Sequence, residues 1–283
     1  MNYRLCAFAD EADQLITGQI AALRRNGIRL LEIRGVDGQN ISALTPDQVK
    51  QVKRQLDDGG IAVWSIGSPT GKIRLCDDFE THVDSFQRMI EFGYILGAEA
   101  FRLFSFFDAQ NEQGEVIDRL GRLCELAKGS GIKLCHENEK GIFGDIPQRM
   151  RILLDALPEL DGIFDPANFI QCGVEIKPAW EMLKDRIRYL HIKDALADGT
   201  VVPAGYGVGQ LDAVVADFLS RGGEVLTLEP HLAEFCGLKD LEQEGERTVV
   251  GSARFSFRDN NEAFDTAVYS FKKILEKTGA KAK

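Results

Sequence analysis

Short runs rich in β-branched and aromatic residues alternate with longer amphipathic runs eight times along the chain. Such alternation is typical of successive βα units, in which helices connect the parallel strands of one sheet. One amphipathic run carries clear end signals, because Thr45 suits a helix cap and Pro46 the first helical position. Gly59 and Gly60 then end that helix. The predicted strands, in chain order, are LCAFAD from Leu5, LLEIRGV from Leu30, IAVWSIG from Ile61, AFRLFSF from Ala100, IKLCHENE from Ile132, GIFDPANF from Gly162, IRYLHIKD from Ile187 and EVLTLEPH from Glu224.

Eight βα units with short connections predict an α/β fold, a single-domain (β/α)8 TIM barrel over residues 1–283. The length and the 44% hydrophobic content suffice for one large core. An open doubly wound sheet is the alternative, but no GxGxxG motif follows the first strand. A longer segment after the last strand, at about 233–260, is interpreted as a lid, an oligomer contact or a surface insertion.

Charge and composition exclude several classes of protein. The net charge of −10 would repel a phosphate backbone, so nucleic acid is not an expected partner. No apolar run approaches the length of a membrane span, and the start MNYRLCAFADEAD does not resemble a secretion signal. The six cysteines are scattered without a CxxC pair, which indicates that most of them are reduced packing residues. We therefore expect a cytoplasmic protein without a membrane partner, and a homo-oligomer is compatible with the sequence.

Ionisable residues cluster where the last four predicted strands end, in CHENE, FDPANF, LHIKD and LEPH. Functional residues of a barrel lie at these carboxyl ends, and alternate residues of a strand share one face. Three carboxylates that face each other in a buried barrel mouth repel unless they are protonated or bridged by a cation. The sequence therefore predicts one divalent metal ion, Mn²⁺, Mg²⁺ or Co²⁺, with Zn²⁺ as an alternative. The predicted ligands are Glu137, Asp165, His191 and Glu229. The competing interpretation pairs these carboxylates with Lys or Arg at the barrel rim.

On these motifs the chain resembles the xylose-isomerase-like barrel superfamily, which includes sugar isomerases, ketose 3-epimerases, inosose dehydratases and endonuclease IV. The resemblance covers essentially the whole chain and is most specific in HENE at 136–139, DPAN at 165–168, HIKD at 191–194, GYGVGQLD from Gly205 and LEPH at 228–231. It implies the same four metal ligands, with Glu137 and Glu229 as the catalytic pair that transfers protons on opposite faces of the substrate. Asn168 stands where many relatives have His, and the chain holds only four histidines, which argues against a multi-metal, endonuclease-like site.

Other polar residues near the strand ends are candidates for substrate binding. Alternation places Glu139, Lys193 and His231 above the ligands on the same inward faces, whereas His136 points outward as a packing residue. A salt bridge between Glu139 and Lys193 is the simpler alternative. The candidate substrate-binding residues are Glu139, Asn168, Lys193, His231, Arg34, Lys72 and Arg102. The last three would bind a carboxylate or phosphate of the substrate, or else balance the charge of nearby carboxylates.

The function that the sequence favours is a metal-dependent isomerase or epimerase of a sugar, a sugar phosphate or a related polyol ketone, an enzyme of carbohydrate metabolism for which manganese is a suitable ion. Proton transfer would proceed through a metal-stabilised enediolate. A metal-dependent dehydratase or lyase of a keto-sugar or keto-inositol shares the first step. A metal-bearing barrel that serves as a non-catalytic binding or partner subunit is the alternative from another class.

Overall fold

The structure is a computed structural model that describes residues 1–238 and 255–283. Eight parallel strands follow one another in chain order, and the last pairs with the first, so the sheet closes into the predicted barrel. The strands are β1 (Asn2–Ala7), β2 (Leu30–Ile33), β3 (Ala62–Ile66), β4 (Ala100–Leu103), β5 (Lys133–Glu137), β6 (Asp161–Phe164), β7 (Ile187–Ile192) and β8 (Val225–Leu228). The closing register pairs Ala7 of β1 with Leu228 of β8.

Helices surround the barrel, as a (β/α)8 fold requires. They are α1 (Ile16–Arg25), α2 (Pro46–Gly59), α3 (Phe79–Leu96), α4 (Gln113–Ala127), α5 (Pro147–Ala156), α6 (Pro166–Gln171), α7 (Ile176–Leu183), α8 (Leu211–Ser220) and α9 (Asn260–Thr278). Among the described residues, no helix is both long and apolar enough to cross a bilayer.

The predicted end signals of α2 are confirmed. The Thr45 side chain accepts a hydrogen bond from the backbone N–H of Gln48, and the Gln48 side chain accepts one from the backbone N–H of Thr45, which completes a capping box. Pro46 begins the helix, and Gly60 closes it in the left-handed conformation with φ of 69°. Helix α8 begins at Leu211, after Gln210 in the left-handed conformation.

Two apolar layers flank the strands. The larger layer fills the space between strands and helices, where for example Phe86 of α3 packs edge to face on Phe101 of β4. The smaller layer lies inside the barrel and contains Cys6, Trp64, Ala100, Cys135, Ile163, Tyr189 and Val225. Charged residues follow these inner positions towards the carboxyl ends of the strands, as in His191 after Tyr189. The barrel is therefore apolar inside and ionisable at its mouth, which places the candidate site there.

Short pairs and loops complete the barrel. Residues Asp194–Ala195 pair with Val201–Val202 beside the mouth, and Lys281–Ala282 extends the sheet next to β1. The longer segment expected at about 233–260 is described only at its two ends, because residues 239–254 lie outside the described part of the chain. All six cysteines are free.

Candidate metal centre and active site

The four predicted ligands converge at the mouth of the barrel. Glu137 ends β5, Asp165 follows β6, His191 lies near the end of β7, and Glu229 follows β8. One ligand atom of each residue lies within 4.8 Å of every other, and all four side chains are buried. Nδ1 of His191 lies 2.8 Å from Oε1 of Glu137 and 3.4 Å from Oε2 of Glu229. Three carboxylates and one imidazole in this arrangement match the donor set of an oxygen-preferring divalent ion.

Local structure directs the Asp165 carboxylate into the cluster. Its Oδ1 caps α6 by accepting a hydrogen bond of 3.0 Å from the backbone N–H of Asn168. The Asn138 side chain bridges the same turn, since it accepts from the N–H of Asp165 and donates to its carbonyl oxygen. The other carboxylate oxygen, Oδ2, has no aligned hydrogen-bond donor in the described chain, although Lys193 Nζ lies 2.9 Å away as an ion-pair partner. A buried, incompletely satisfied oxygen of this kind suits a metal ligand.

Three buried cations, Lys193, Arg102 and Arg34, neutralise part of the charge of the cluster. Lys193 Nζ lies 3.1 Å from Oε2 of Glu229 as well as beside Asp165. Arg102 Nη1 lies 3.1 Å from Oε2 of Glu137 and 3.4 Å from Oε1 of Glu229. The pairing of these carboxylates with Lys and Arg, which the sequence offered as the alternative to a metal, is thus present. The two interpretations are compatible, because they would describe the same cluster without and with a bound ion.

Burial and charge shift the pKa of each ligand that titrates. Burial, and then the Glu229 and Glu137 charges, raise the pKa of Asp165 to about 7 in spite of Lys193. Burial alone would lower the pKa of His191, but Glu137 and other carboxylates raise it well above its usual value. For Glu229 the effect of burial is outweighed by Lys193, His231 and His191, which hold its pKa well below the usual range. The cluster therefore attracts positive charge, which a divalent ion would supply without protons.

Arg34 is buried and surrounded by carboxylates. Its Nε and Nη2 donate to both oxygens of Asp10 at 2.8 and 3.0 Å, Nη2 also reaches Glu11, and Nη1 donates to Glu229 at 2.9 Å. The guanidinium carbon lies 4.6 Å from the ring centroid of Phe235 and stacks similarly on Phe8. These contacts favour the charge-balancing role of Arg34 over the binding of a substrate anion.

Glu11, Glu229 and His231 form a second group of potential ligands. His231 Nε2 lies 3.5 Å from Oε1 of Glu11, and burial lowers the pKa of His231 well below its usual value. The backbone N–H of His231 donates to Glu11 at 2.6 Å, and φ of His231 is 46°. The Arg34 guanidinium binds the carboxylates of both Glu11 and Glu229, so a side-chain cation already balances negative charge in this group.

Lys72 and Glu139 form an ion pair of 3.3 Å above the cluster, so Glu139 pairs with Lys72 and not with Lys193, the partner that the sequence suggested as the simpler alternative. Burial lowers the pKa of Lys72, and its Nζ lies 4.5 Å from the ring centroid of Phe104. Asn168 donates from Nδ2 to Oε1 of Glu137 at 3.3 Å and so contacts a predicted ligand. These residues therefore lie at the mouth, where a bound substrate would meet them.

His136 is a buried packing residue, as its position between Cys135 and Glu137 on β5 predicts. Its Nε2 lies 2.9 Å from Oγ of Ser105, which in turn accepts a hydrogen bond from the N–H of Gly144. Burial lowers the pKa of His136 to about 4. This histidine is therefore held neutral at physiological pH.

Four acidic residues near the site were absent from the predicted set, namely Asp10 and Glu11 beside Arg34, and Glu32 and Asp194. Glu32 of β2 is fully buried and contacts Nε2 of His191 at 3.3 Å. Asp194 accepts backbone hydrogen bonds from Gly205, Gly207 and Gly209, which ties the glycine-rich loop to the end of β7. The sequence could have pointed to Glu32, because it is an acidic residue inside the apolar run LLEI. In HIKD, by contrast, nothing in the sequence distinguishes Asp194 from its neighbours.

Residues 20–248 match the protein family described as xylose isomerase-like TIM barrel. No curated protein sequence matches the chain. Solved structures are similar at low sequence identity, which shows the shared fold. L-ribulose 3-epimerase has a TM-score of 0.74 at 17% identity, covering 99% of this chain and 96% of that chain. The IOLI protein with a bound zinc atom has a TM-score of 0.73 at 15% identity, covering 97% and 99%. The probable 3-DHS dehydratase AsbF from Bacillus anthracis has a TM-score of 0.70 at 17% identity, covering 96% and 99%.

Proposed function

Because the chain belongs to the xylose isomerase-like TIM barrel family, we propose that it is a divalent-metal-dependent isomerase or epimerase of a sugar, a sugar phosphate or a related polyol ketone. The observation that carries the proposal is the convergence of Glu137, Asp165, His191 and Glu229 within 4.8 Å of one another. A scaffold or partner subunit would need no such buried cluster of charge. The structural likeness to L-ribulose 3-epimerase is in keeping with this reaction class.

The four clustered side chains would hold the ion through three carboxylates and Nδ1 of His191. A bound Mn²⁺, Mg²⁺ or Co²⁺, or Zn²⁺ as in the IOLI protein, would supply a Lewis acid for the substrate oxygens and so make a proton beside a carbonyl more acidic. Lys193 and Arg102 lie against the same carboxylates and would orient substrate hydroxyls or stabilise negative charge that develops on oxygen.

Proton transfer is assigned to Glu137 and Glu229, which approach the centre from the ends of β5 and β8. One carboxylate would take the proton from the carbon beside the carbonyl, and the other would return a proton to the opposite face in an epimerisation. Arg102 contacts both carboxylates and favours their ionised forms. With its pKa held well below the usual range, Glu229 is ionised at neutral pH, the form that can accept a proton.

A dehydratase or lyase is the second candidate, and the structural likeness to the probable 3-DHS dehydratase favours it. The same first step would be followed by cleavage of a C–O bond β to the carbanion. The leaving hydroxide would then take a proton from a nearby acid and depart as water. Lys193 and Lys72 are the basic side chains at the mouth whose protonated forms could supply that proton.

The test is a panel of ketoses, inososes and sugar phosphates incubated with metal-loaded protein in deuterated water. NMR would record exchange at a carbon next to the carbonyl, and net isomer formation or loss of water would separate the reaction types. Glu137→Gln and Glu229→Gln should each lower turnover by about 10²- to 10⁴-fold, the usual contribution of a general acid or base. The control Glu181→Gln removes an exposed carboxylate that pairs with Lys184 and should leave turnover unchanged.

The pattern of residual exchange separates the mechanisms. For an epimerase, a variant that keeps one working base still exchanges deuterium while net inversion fails. For a one-base isomerase, only one of the two variants loses exchange. If both Gln variants retain metal and near-normal turnover on an identified substrate, the proton-transfer assignment is wrong and Glu139, Lys193 or His231 becomes the next candidate.

A further inference from the structure

Glu32 is a buried carboxylate that the proposed proton transfer does not use. It lies on β2, across the barrel interior from His191 on β7, and its side chain is fully buried. Its Oε1 accepts hydrogen bonds from the Tyr189 hydroxyl at 2.8 Å and from the Ser65 hydroxyl at 3.2 Å. The other oxygen, Oε2, lies 3.3 Å from Nε2 of His191. The two hydroxyls thus orient the carboxylate so that one oxygen faces the imidazole.

The His191 ring has two orientations of nearly identical shape. A rotation of 180° about the bond to the ring exchanges Nδ1 with a carbon and Nε2 with another carbon. Phe8 and Tyr189 pack on the ring through edge contacts, with centroids 5.3 and 5.5 Å away, and such packing does not distinguish nitrogen from carbon. In the flipped ring a carbon would face Glu137 and Glu229, and the histidine could not act as a ligand there.

We propose that Glu32 is the positioning residue that makes Nδ1 of His191 the metal-facing atom. By accepting a hydrogen bond from Nε2–H, its carboxylate selects both the ring orientation and the tautomer. The lone pair of Nδ1 is then directed at Glu137 and Glu229, at 2.8 and 3.4 Å. The inference rests on the metal site of the proposed function and adds to it a residue that touches neither ion nor substrate.

The experiment compares metal affinity among purified full-length variants by competition with a chromogenic chelator, using Co²⁺ alone as the probe. Glu32→Gln keeps the side-chain length and removes the charge, and it should weaken Co²⁺ binding by about 10- to 100-fold, as is usual when the partner of a metal-binding histidine is lost. Glu32→Asp keeps the charge but withdraws it from Nε2, and its affinity should fall between those of Glu32→Gln and the wild type. The control Glu139→Gln removes a rim carboxylate that pairs with Lys72 and should change Co²⁺ affinity much less.

A spectroscopic readout separates positioning from general loss of stability. In the Co²⁺-loaded wild type, the proton on Nε2 of His191 should give a paramagnetically shifted, exchangeable NMR signal that is absent from His191→Ala. That signal should broaden or vanish in Glu32→Gln because the proton loses its charged acceptor and exchanges faster. If Glu32→Gln keeps the wild-type Co²⁺ affinity and an unchanged signal, the inference alone is overturned. If Glu32→Gln fails to fold, the same result in Glu32→Asp overturns it. Absence of Co²⁺ binding by the wild type would instead overturn the metal site, and the inference with it.

Discussion

Replacement of Lys193 by Met would expose how the charge of the cluster is balanced. Lys193 is buried and lies 2.9 Å from Asp165 and 3.1 Å from Glu229, so its loss leaves Asp165 without its ion-pair partner and removes one of the cations around Glu229. Removing one partner of a buried ion pair costs about 3–5 kcal/mol. For 283 residues the entropy of unfolding is about 0.6 kcal/mol/K, so the Tm of the metal-free protein should fall by about 5–8 °C.

The metal-loaded protein should lose less stability in the same variant, because a divalent ion supplies positive charge to the same oxygens and binds more tightly once the ammonium is gone. Thermal unfolding with and without Mn²⁺ measures both losses. The control Lys184→Met breaks an exposed pair with Glu181 and should change stability by less than about 1 kcal/mol. A loss below about 1 kcal/mol in the metal-free Lys193→Met protein, or equal losses in both states, would refute this reasoning.

Three further outcomes are expected. In steady-state kinetics on matched substrates, Lys72→Met should raise KM for a carboxylated or phosphorylated substrate about tenfold or more and leave KM for a neutral analogue nearly unchanged. Arg34→Met should affect both substrates alike, because the Arg34 guanidinium binds Asp10 and Glu229. Gly144→Ala should cost about 1–3 kcal/mol in urea unfolding, because its Cβ would lie 2.3 Å from Cε1 of His136, while Gly114→Ala meets nothing within 4 Å and should not destabilise. Metal-loaded protein should not nick an abasic duplex, given a net charge of −10, and nicking by a nuclease-free preparation would contradict this.

The barrel and the position of the site were predictable because both depend on short-range patterns. Alternation along β5 and β7 places Glu137 and His191 on inward faces, and parallel strands bring their carboxyl ends to one side of the barrel. Asp165 was predictable from the same rule, since it follows β6 directly. The structure brings these residues together as expected. Their role as metal ligands stays a prediction.

Contacts between distant parts of the chain were not predictable in this way. Glu32 and His191 are separated by 159 positions, and no local pattern shows which of the buried polar groups meet across a barrel. Arg34 had two open interpretations, and the contacts with Asp10, Glu11 and Glu229, which no local pattern shows, favour charge balance. The left-handed conformation of Gln210 before α8 was not predictable either, because Gly or Asn usually occupies it.

The central claim, that four strand-end residues hold one divalent ion, is tested most directly by metal content and titration. Wild-type protein loaded in turn with Mn²⁺, Mg²⁺, Co²⁺ and Zn²⁺ is expected to retain about one ion per chain for at least one of these metals, measured by elemental analysis after desalting. His191→Ala, with the fold checked by circular dichroism, is expected to lose most of that ion. Wild-type protein that retains none of the four metals, or a His191→Ala protein that retains the ion as well as the wild type does, would contradict the account.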